Sequence, residues 1–154
     1  MSTRGTIAVK IDGKTKASYN HSDSYPTWLG NKVLEFIKGA DLHEVRRQAR
    51  ALEPVPDRVP TEEEVARLKP YTDLGVSTGS TEEWYCVLRG TQGDLGKILD
   101  AGLYEPHRVG EDDWSYVVDL DAEKLGIYRG KDAVLSFPFA GLPEQFLDDT
   151  PTWA

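Results

Sequence analysis

The sequence predicts an α+β fold in which an N-terminal hairpin and a C-terminal meander form one antiparallel sheet, with the helices between them packed on one face. Hydrophobicity alternates near both ends of the chain, and helix-type spacing of apolar residues fills the middle. Helices segregated from strands in this way do not fit a doubly wound parallel sheet. A length of 154 residues corresponds to a single domain, 1–154, and we expect the N-terminus and a tail from about 148 to 154 to be mobile.

The N-terminal hairpin is predicted from alternation and from one turn signal. Residues 4–11 alternate apolar and polar side chains, which places two isoleucines and Val9 on one face of a strand. Asp12-Gly13 predicts a two-residue type I′ turn, because glycine tolerates a positive φ. The return strand should run from about 15 to 20, and Pro26 should end the extended segment.

Five helices are predicted in the middle of the chain from apolar spacing and polar caps. They run from Thr27 to Lys38, from Asp41 to Leu52, from Thr61 to Pro70, from Glu82 to Arg89 and from Gln92 to Asp100, and for Glu82 to Arg89 a strand is the alternative. Thr27 and Asp41 are expected to cap the first two helices, and Trp28 is expected on the apolar face of the first. Thr61 and Glu64 have the spacing of a capping box, in which each side chain binds the other residue's backbone N–H.

The C-terminal meander is predicted from β-branched, alternating segments. Residues 114–120 alternate and form the first strand, and 121–124 form a turn. The chain should return through 125–129 and 133–137. A short helical piece is expected after Leu142.

Composition excludes several classes of function. A net charge of −8 opposes binding to nucleic acid or to an anionic membrane, since both need a basic surface. No apolar run has the length of a membrane span, and the first residues lack the pattern of a secretory signal. One cysteine, Cys86, excludes an internal disulfide and a multi-thiolate zinc site; we expect it to be a buried core thiol. These features fit a cytoplasmic protein without a cofactor, and a homo-oligomer remains open.

The segment 19–26 is the strongest candidate site, because it concentrates polar and aromatic side chains between the hairpin and the first helix. At a strand end, His21 and Ser24 would donate hydrogen bonds to a small polar ligand, Asp23 would accept one, and two tyrosines would supply stacking walls. Arginine suits an anionic group of the ligand because its planar fork binds two oxygens at once. The predicted ligand-binding residues are therefore Arg4, Tyr19, His21, Asp23, Ser24 and Tyr25.

A purely structural role for this segment is an open alternative. Asn20, Asp23 and Ser24 are good turn residues, because their side chains bond to nearby backbone amides. His21 and the tyrosines would then only seal the corner between hairpin and helix. Arg4 could equally form a salt bridge that orders the corner.

Two hydrolytic alternatives also remain open. His21, Asp23 and Ser24 are too close in sequence to align easily as a catalytic triad, whose members normally come from distant segments. If Met1 is removed, Ser2 becomes an N-terminal nucleophile with its own amine as base. A metal site on His21 and Asp23 would need a third ligand, and none lies at a recognisable spacing.

Four groups of segments, spread along most of the chain, carry a resemblance to other proteins. They are Thr3-Arg4-Gly5, Tyr19–Pro26 with Leu29-Gly30, Trp84-Tyr85-Cys86 with Gln92-Gly93-Asp94, and Trp114–Asp121. In this order they resemble an uncharacterised family of small proteins from tailed bacteriophages and bacterial genomes. The resemblance implies an accessory phage or prophage protein that acts on host defence or physiology, and it carries no catalytic residue across. Ser22 departs from the pattern, since relatives often have an aromatic residue there.

Together these observations predict a phage-type binding protein rather than an enzyme. Its ligand would be a small polar molecule, with a nucleotide as one candidate, held where the hairpin meets the first helix. One alternative is a protein-interaction module that inhibits a host protein through an acidic or aromatic surface. The other is a hydrolase that uses His21 or an N-terminal Ser2.

Overall fold

The computed structural model describes residues 3–149 and confirms the α+β class, with the sheet built from the N-terminal hairpin and the C-terminal meander. The strands in this range are β1 (Gly5–Ile11), β2 (Lys14–Asn20), β3 (Glu53–Pro54), β4 (Leu103–Tyr104), β5 (Trp114–Asp119), β6 (Lys124–Arg129) and β7 (Asp132–Pro138). The main sheet has the order β2-β1-β5-β6-β7, and β3 pairs with β4 separately.

The junction between hairpin and meander differs in direction from the other pairs of the main sheet. β1 pairs with β2, β5 with β6 and β6 with β7 in antiparallel fashion, whereas β1 and β5 are parallel, with Ile7 beside Tyr116 and Val9 beside Val118. Apolar alternation specifies which face of each strand is buried, but it does not specify strand direction. The long helical connection allows β5 to run either way, so the sequence alone could not reveal this pair.

The predicted type I′ turn of the hairpin is confirmed. Asp12 and Gly13 have φ values of 53° and 77°, as this turn requires. The Asp121 carboxylate accepts hydrogen bonds from both of their backbone N–H groups, each at 2.8 Å. The hairpin turn is therefore tied to the β5–β6 turn at the same end of the sheet.

Five α-helices lie within the described residues: α1 (Asn31–Gly39), α2 (Leu42–Ala51), α3 (Glu62–Arg67), α4 (Trp84–Val87) and α5 (Leu95–Ala101). Short 3₁₀ turns occur at Lys69–Tyr71, Arg89–Thr91 and Phe139–Gly141. Two predicted caps are confirmed: the Asp41 side chain accepts from the His43 N–H at 3.0 Å, and Thr61 and Glu64 form the capping box. None of these helices is long and apolar enough to cross a membrane.

The start of the first helix and the end of the chain differ from the prediction. A π-helical turn at Pro26–Gly30 leads into α1, and Thr27 is not its cap; its N–H and hydroxyl donate to the Asp149 carboxylate at 3.0 and 2.5 Å. Trp28 is 58% exposed rather than on the apolar face, because the wider turn rotates it outward. Residues 142–149 contain no helix. Of the ends predicted to be mobile, residues 1, 2 and 150–154 lie outside the described range.

The two faces of the main sheet have different surroundings. Helices α1, α2 and α5 bury one face, which carries Ile7, Val9 and Tyr116. On the opposite face the Gly110 N–H donates to Ser115 Oγ at 3.1 Å, so the loop before β5 covers that end. Cys86 is fully buried, as predicted. Because side chains alternate along β2, consecutive residues at the end of this strand lie on opposite faces of the sheet.

Candidate functional site

Part of the predicted site forms a closed, buried corner. Asn20 and Ser24 are buried, and the Asn20 amide donates to Ser24 Oγ at 2.8 Å and to the Ser22 carbonyl at 2.7 Å. The Tyr116 hydroxyl donates to the Ser24 carbonyl at 2.7 Å. A Cβ added to Gly5 would lie 2.6 Å from Ser24 Cβ, so only glycine at this position allows β1 to approach the corner so closely. These contacts give Ser24 a structural role.

Three other predicted residues lie apart from this corner. Asp23 is exposed and has a left-handed φ of 54°. Arg4 is exposed, and within residues 3–149 it forms no ion pair, with Asp23 or with any other carboxylate. Arg4 and Tyr25 line a separate cleft, named here the N-terminal cleft, together with Thr3, Trp114, Arg129 and Lys131.

Tyr19 and His21 line a second cavity at the end of β2, on the side opposite to the closed corner. This histidine cavity has a volume of about 510 Å³, and its lining residues are Tyr19, His21, Val76, Ser77, Glu83, Tyr85 and Arg89. Trp84, Val87 and Leu88, on the buried side of α4 and the residue after it, pack into a hydrophobic cluster. Tyr85 and Arg89 lie on the other side of this segment and face the cavity. Sequence reasoning missed both residues; the Trp84-Tyr85-Cys86 segment marked the region but not their role.

His21 is held in a fixed orientation. Its Nδ1 lies 3.0 Å from the Tyr19 hydroxyl, and its backbone N–H donates to Gln92 Oε1 at 2.9 Å. The Tyr85 ring is perpendicular to the imidazole at a centroid distance of 6.4 Å. Nδ1 is thus engaged, whereas Nε2 has no hydrogen-bond partner among the described residues.

Tyr19 connects the cavity to a second histidine. Its ring contacts His107 edge-on at 5.0 Å, and His107 Nε2 is hydrogen-bonded to the Asp112 carboxylate. Burial raises the pKa of the Tyr19 phenol, and the charge of Arg4 opposes this rise. Tyr19 therefore remains an O–H group at neutral pH.

The charged groups in and beside the cavity differ in whether they have hydrogen-bond partners. Glu83 accepts hydrogen bonds from the Ser77 and Thr78 hydroxyls, which lower the pKa of its carboxyl and fix the loop above α4. The Arg89 side chain has no hydrogen bond or ion pair with residues 3–149, and its Nε is buried. Glu105 Oε1 is also buried without a partner in this range, and burial raises the pKa of that carboxyl, with the charge of Glu83 adding to the rise.

Other predicted chemistry receives no further support here. Ser24 Oγ accepts from Asn20 in the closed corner, and Ser2 lies outside the described residues, so the hydrolase alternatives stay predictions. Within residues 3–149 no three His, Cys, Asp or Glu side chains are grouped to hold a metal ion.

The six predicted residues are thus divided among four places: Tyr19 and His21 in the histidine cavity, Arg4 and Tyr25 in the N-terminal cleft, Ser24 in the closed corner, and Asp23 on the surface. The histidine cavity joins the end of β2 to the α4 segment. Comparison of the chain with protein-family models, with curated proteins and with solved structures finds no match.

Proposed function

We propose that the protein binds a small ligand with an anionic group in the histidine cavity. The observation that carries this proposal is the Arg89 guanidinium, which lines the cavity and has no partner within residues 3–149. The chain has a net charge of −8, so carboxylates are plentiful. Glu83 lines the same cavity but is hydrogen-bonded to Ser77 and Thr78, so Arg89 keeps its fork of N–H groups for a carboxylate or phosphate on a ligand.

His21 supplies a second donor to the same ligand. Because the pKa of Tyr19 is raised, its hydroxyl keeps its proton and is available to donate to His21 Nδ1, 3.0 Å away. In the neutral tautomer that accepts this bond at Nδ1, the ring proton is on Nε2, which can then donate to a ligand.

The walls of the cavity favour a ligand that also has a planar group. Tyr19 and Tyr85 contribute aromatic surface next to the two donors. A volume of about 510 Å³ is within the range of small-molecule sites. A nucleotide combines a planar ring with an anion and is one candidate. In the setting implied by the family resemblance, the protein would be a phage-type accessory protein that withdraws such a molecule from host defence.

Native mass spectrometry of protein purified gently from its host or from an infected culture tests this proposal. We expect a reproducible added mass that is lost in Arg89→Gln and in His21→Ala, while both variants keep the thermal stability of the parent. Arg108→Gln is the matched control, because Arg108 is an exposed arginine outside the cavity. A clean apo mass, or an added mass that persists in Arg89→Gln, contradicts the proposal.

A further inference from the structure

We infer that the N-terminal cleft is a second ligand site, for a small molecule that combines a phosphate or carboxylate group with free hydroxyl groups. The cleft has a volume of about 1090 Å³. It lies between the residues before β1, the loop before β5 and the β6–β7 turn. This site goes beyond the function proposed for the histidine cavity, because it involves a different cavity and different charged residues.

Three cations from separate parts of the fold line the cleft, together with four carboxylates. Arg4 precedes β1, Arg129 ends β6 and Lys131 lies in the β6–β7 turn. Within residues 3–149 none of them forms an ion pair, although the protein is strongly acidic. Cations that line one cleft without forming internal pairs can bind the oxygens of one multivalent anion.

The cleft has a fixed framework. The Arg129 guanidinium lies over the Trp114 ring at 5.7 Å from its centroid, and this cation–π contact orients it. A Cβ added to Gly110 would lie 3.2 Å from the Gly130 carbonyl oxygen, so the loop and the β6–β7 turn are in close contact. The cationic groups are therefore presented by packed elements rather than by an isolated loop.

The acidic residues of the cleft refine the class of ligand. Asp112 bonds to His107, and the Glu111 carboxylate lies 3.7 Å from the same imidazole, so both carboxylates are directed toward that histidine. Asp113 and Asp132 also line the cleft and can accept hydrogen bonds from a ligand. Acceptors beside cations fit an anion that also carries donors, such as a phosphate ester of a polyol.

Thr3 adds an independent polar group. Its side chain is 4% exposed and lines the cleft, and Oγ1 has no hydrogen-bond partner within residues 3–149. A buried hydroxyl without a partner is uncommon, because it forfeits the bonds it makes with water in the unfolded chain. Thr3 precedes Arg4 directly, so this buried hydroxyl belongs to the same wall of the cleft.

Nuclear magnetic resonance of the Trp114 indole N–H tests this inference, since that ring underlies Arg129. Glucose 6-phosphate, inorganic phosphate and glucose are titrated into the labelled full chain at constant ionic strength. We expect a saturable shift of the Trp114 signal, with glucose 6-phosphate the tightest of the three probes. Arg129→Gln should weaken its binding about tenfold or more, as loss of a charge-assisted contact does.

Two control variants make the outcome decisive. Lys124→Gln removes an exposed cation from the same strand but outside the cleft and should leave the affinity unchanged. Arg89→Gln should also leave it unchanged, because Arg89 belongs to the histidine cavity. Non-saturating shifts, or equal weakening by Lys124→Gln and Arg129→Gln, overturn the second site. Loss of the shift in Arg89→Gln would assign the probe to the histidine cavity and also overturn it.

Discussion

The closed corner around Ser24 and the histidine cavity around His21 come from one stretch of chain, yet they use their polar groups in opposite ways. In the corner the Asn20 amide, Ser24 Oγ and the Ser24 carbonyl all have partners inside the protein. In and beside the cavity His21 Nε2, the Arg89 guanidinium and Glu105 Oε1 have none within residues 3–149. Residue type alone does not show which polar groups have partners inside the protein; the hydrogen bonds of the folded structure do.

Strand geometry explains this division. Successive residues at the end of β2 point to opposite faces of the sheet, so Asn20 faces the helices while Tyr19 and His21 face the other side. The helix-covered side is closed to water, and its polar groups must pair internally. We therefore expect changes in the corner to affect stability, and changes in the cavity to affect binding with little loss of stability.

The largest expected effect is that of Gly5→Ala in the corner. The new Cβ would lie 2.6 Å from Ser24 Cβ and 2.7 Å from the Trp114 carbonyl oxygen, and the latter is backbone that cannot rotate away. We expect a loss of about 3 kcal/mol in the free energy of unfolding, measured by urea denaturation. Gly39→Ala is the control, because a Cβ there meets no atom within 4 Å. Equal stability of the two variants would show that the corner is not closely packed.

A smaller loss is expected for Tyr116→Phe. This variant keeps the ring but removes the hydroxyl that donates to the Ser24 carbonyl at 2.7 Å, which leaves a buried acceptor without a partner. We expect a cost of about 2 kcal/mol in the same urea assay. Tyr128→Phe is the matched control, since the Tyr128 hydroxyl makes no hydrogen bond within residues 3–149. A cost below that of Tyr128→Phe would contradict the closed network.

The smallest effect, of opposite sign, is expected beside the cavity for Glu105→Gln. Burial raises the pKa of Glu105 above its ordinary value of 4.5, so the folded protein disfavours the carboxylate. Because the folded state then holds its proton more tightly than the unfolded state, this group lowers stability as the pH rises through both pKa values. At pH 7 the uncharged glutamine should add about 0.5 kcal/mol, a value that allows for partial exposure of the group.

The pH dependence checks the sign of that prediction. Below the ordinary pKa of 4.5 both states hold the proton, so the advantage of Glu105→Gln should disappear in urea denaturation at acidic pH. Glu82→Gln, at an exposed position, should change little at either pH. A gain that is equal at neutral and acidic pH would mean that the buried charge is not its cause.

The parts of the fold that could be predicted are those determined by local contacts. Asp12-Gly13 contains its own turn signal, and the caps at Asp41 and Thr61 act within one helical turn. The parallel pairing of β1 with β5 is a long-range contact without a local pattern. The same limit applies to the candidate site, because Tyr19 and His21 were found from composition, whereas Arg89 joins them only through the tertiary fold.

The parallel contact between β1 and β5 has a consequence for how the chain folds during synthesis. The hairpin of β1 and β2 is local and can form early, but the inner edge of β1 has no partner until β5 has been made. Until then β1 belongs to a two-stranded ribbon, which is marginally stable in water, and its inner edge is open to pairing with another chain. We expect the interval between synthesis of the hairpin and of the meander to be the period when the nascent chain is most prone to aggregate.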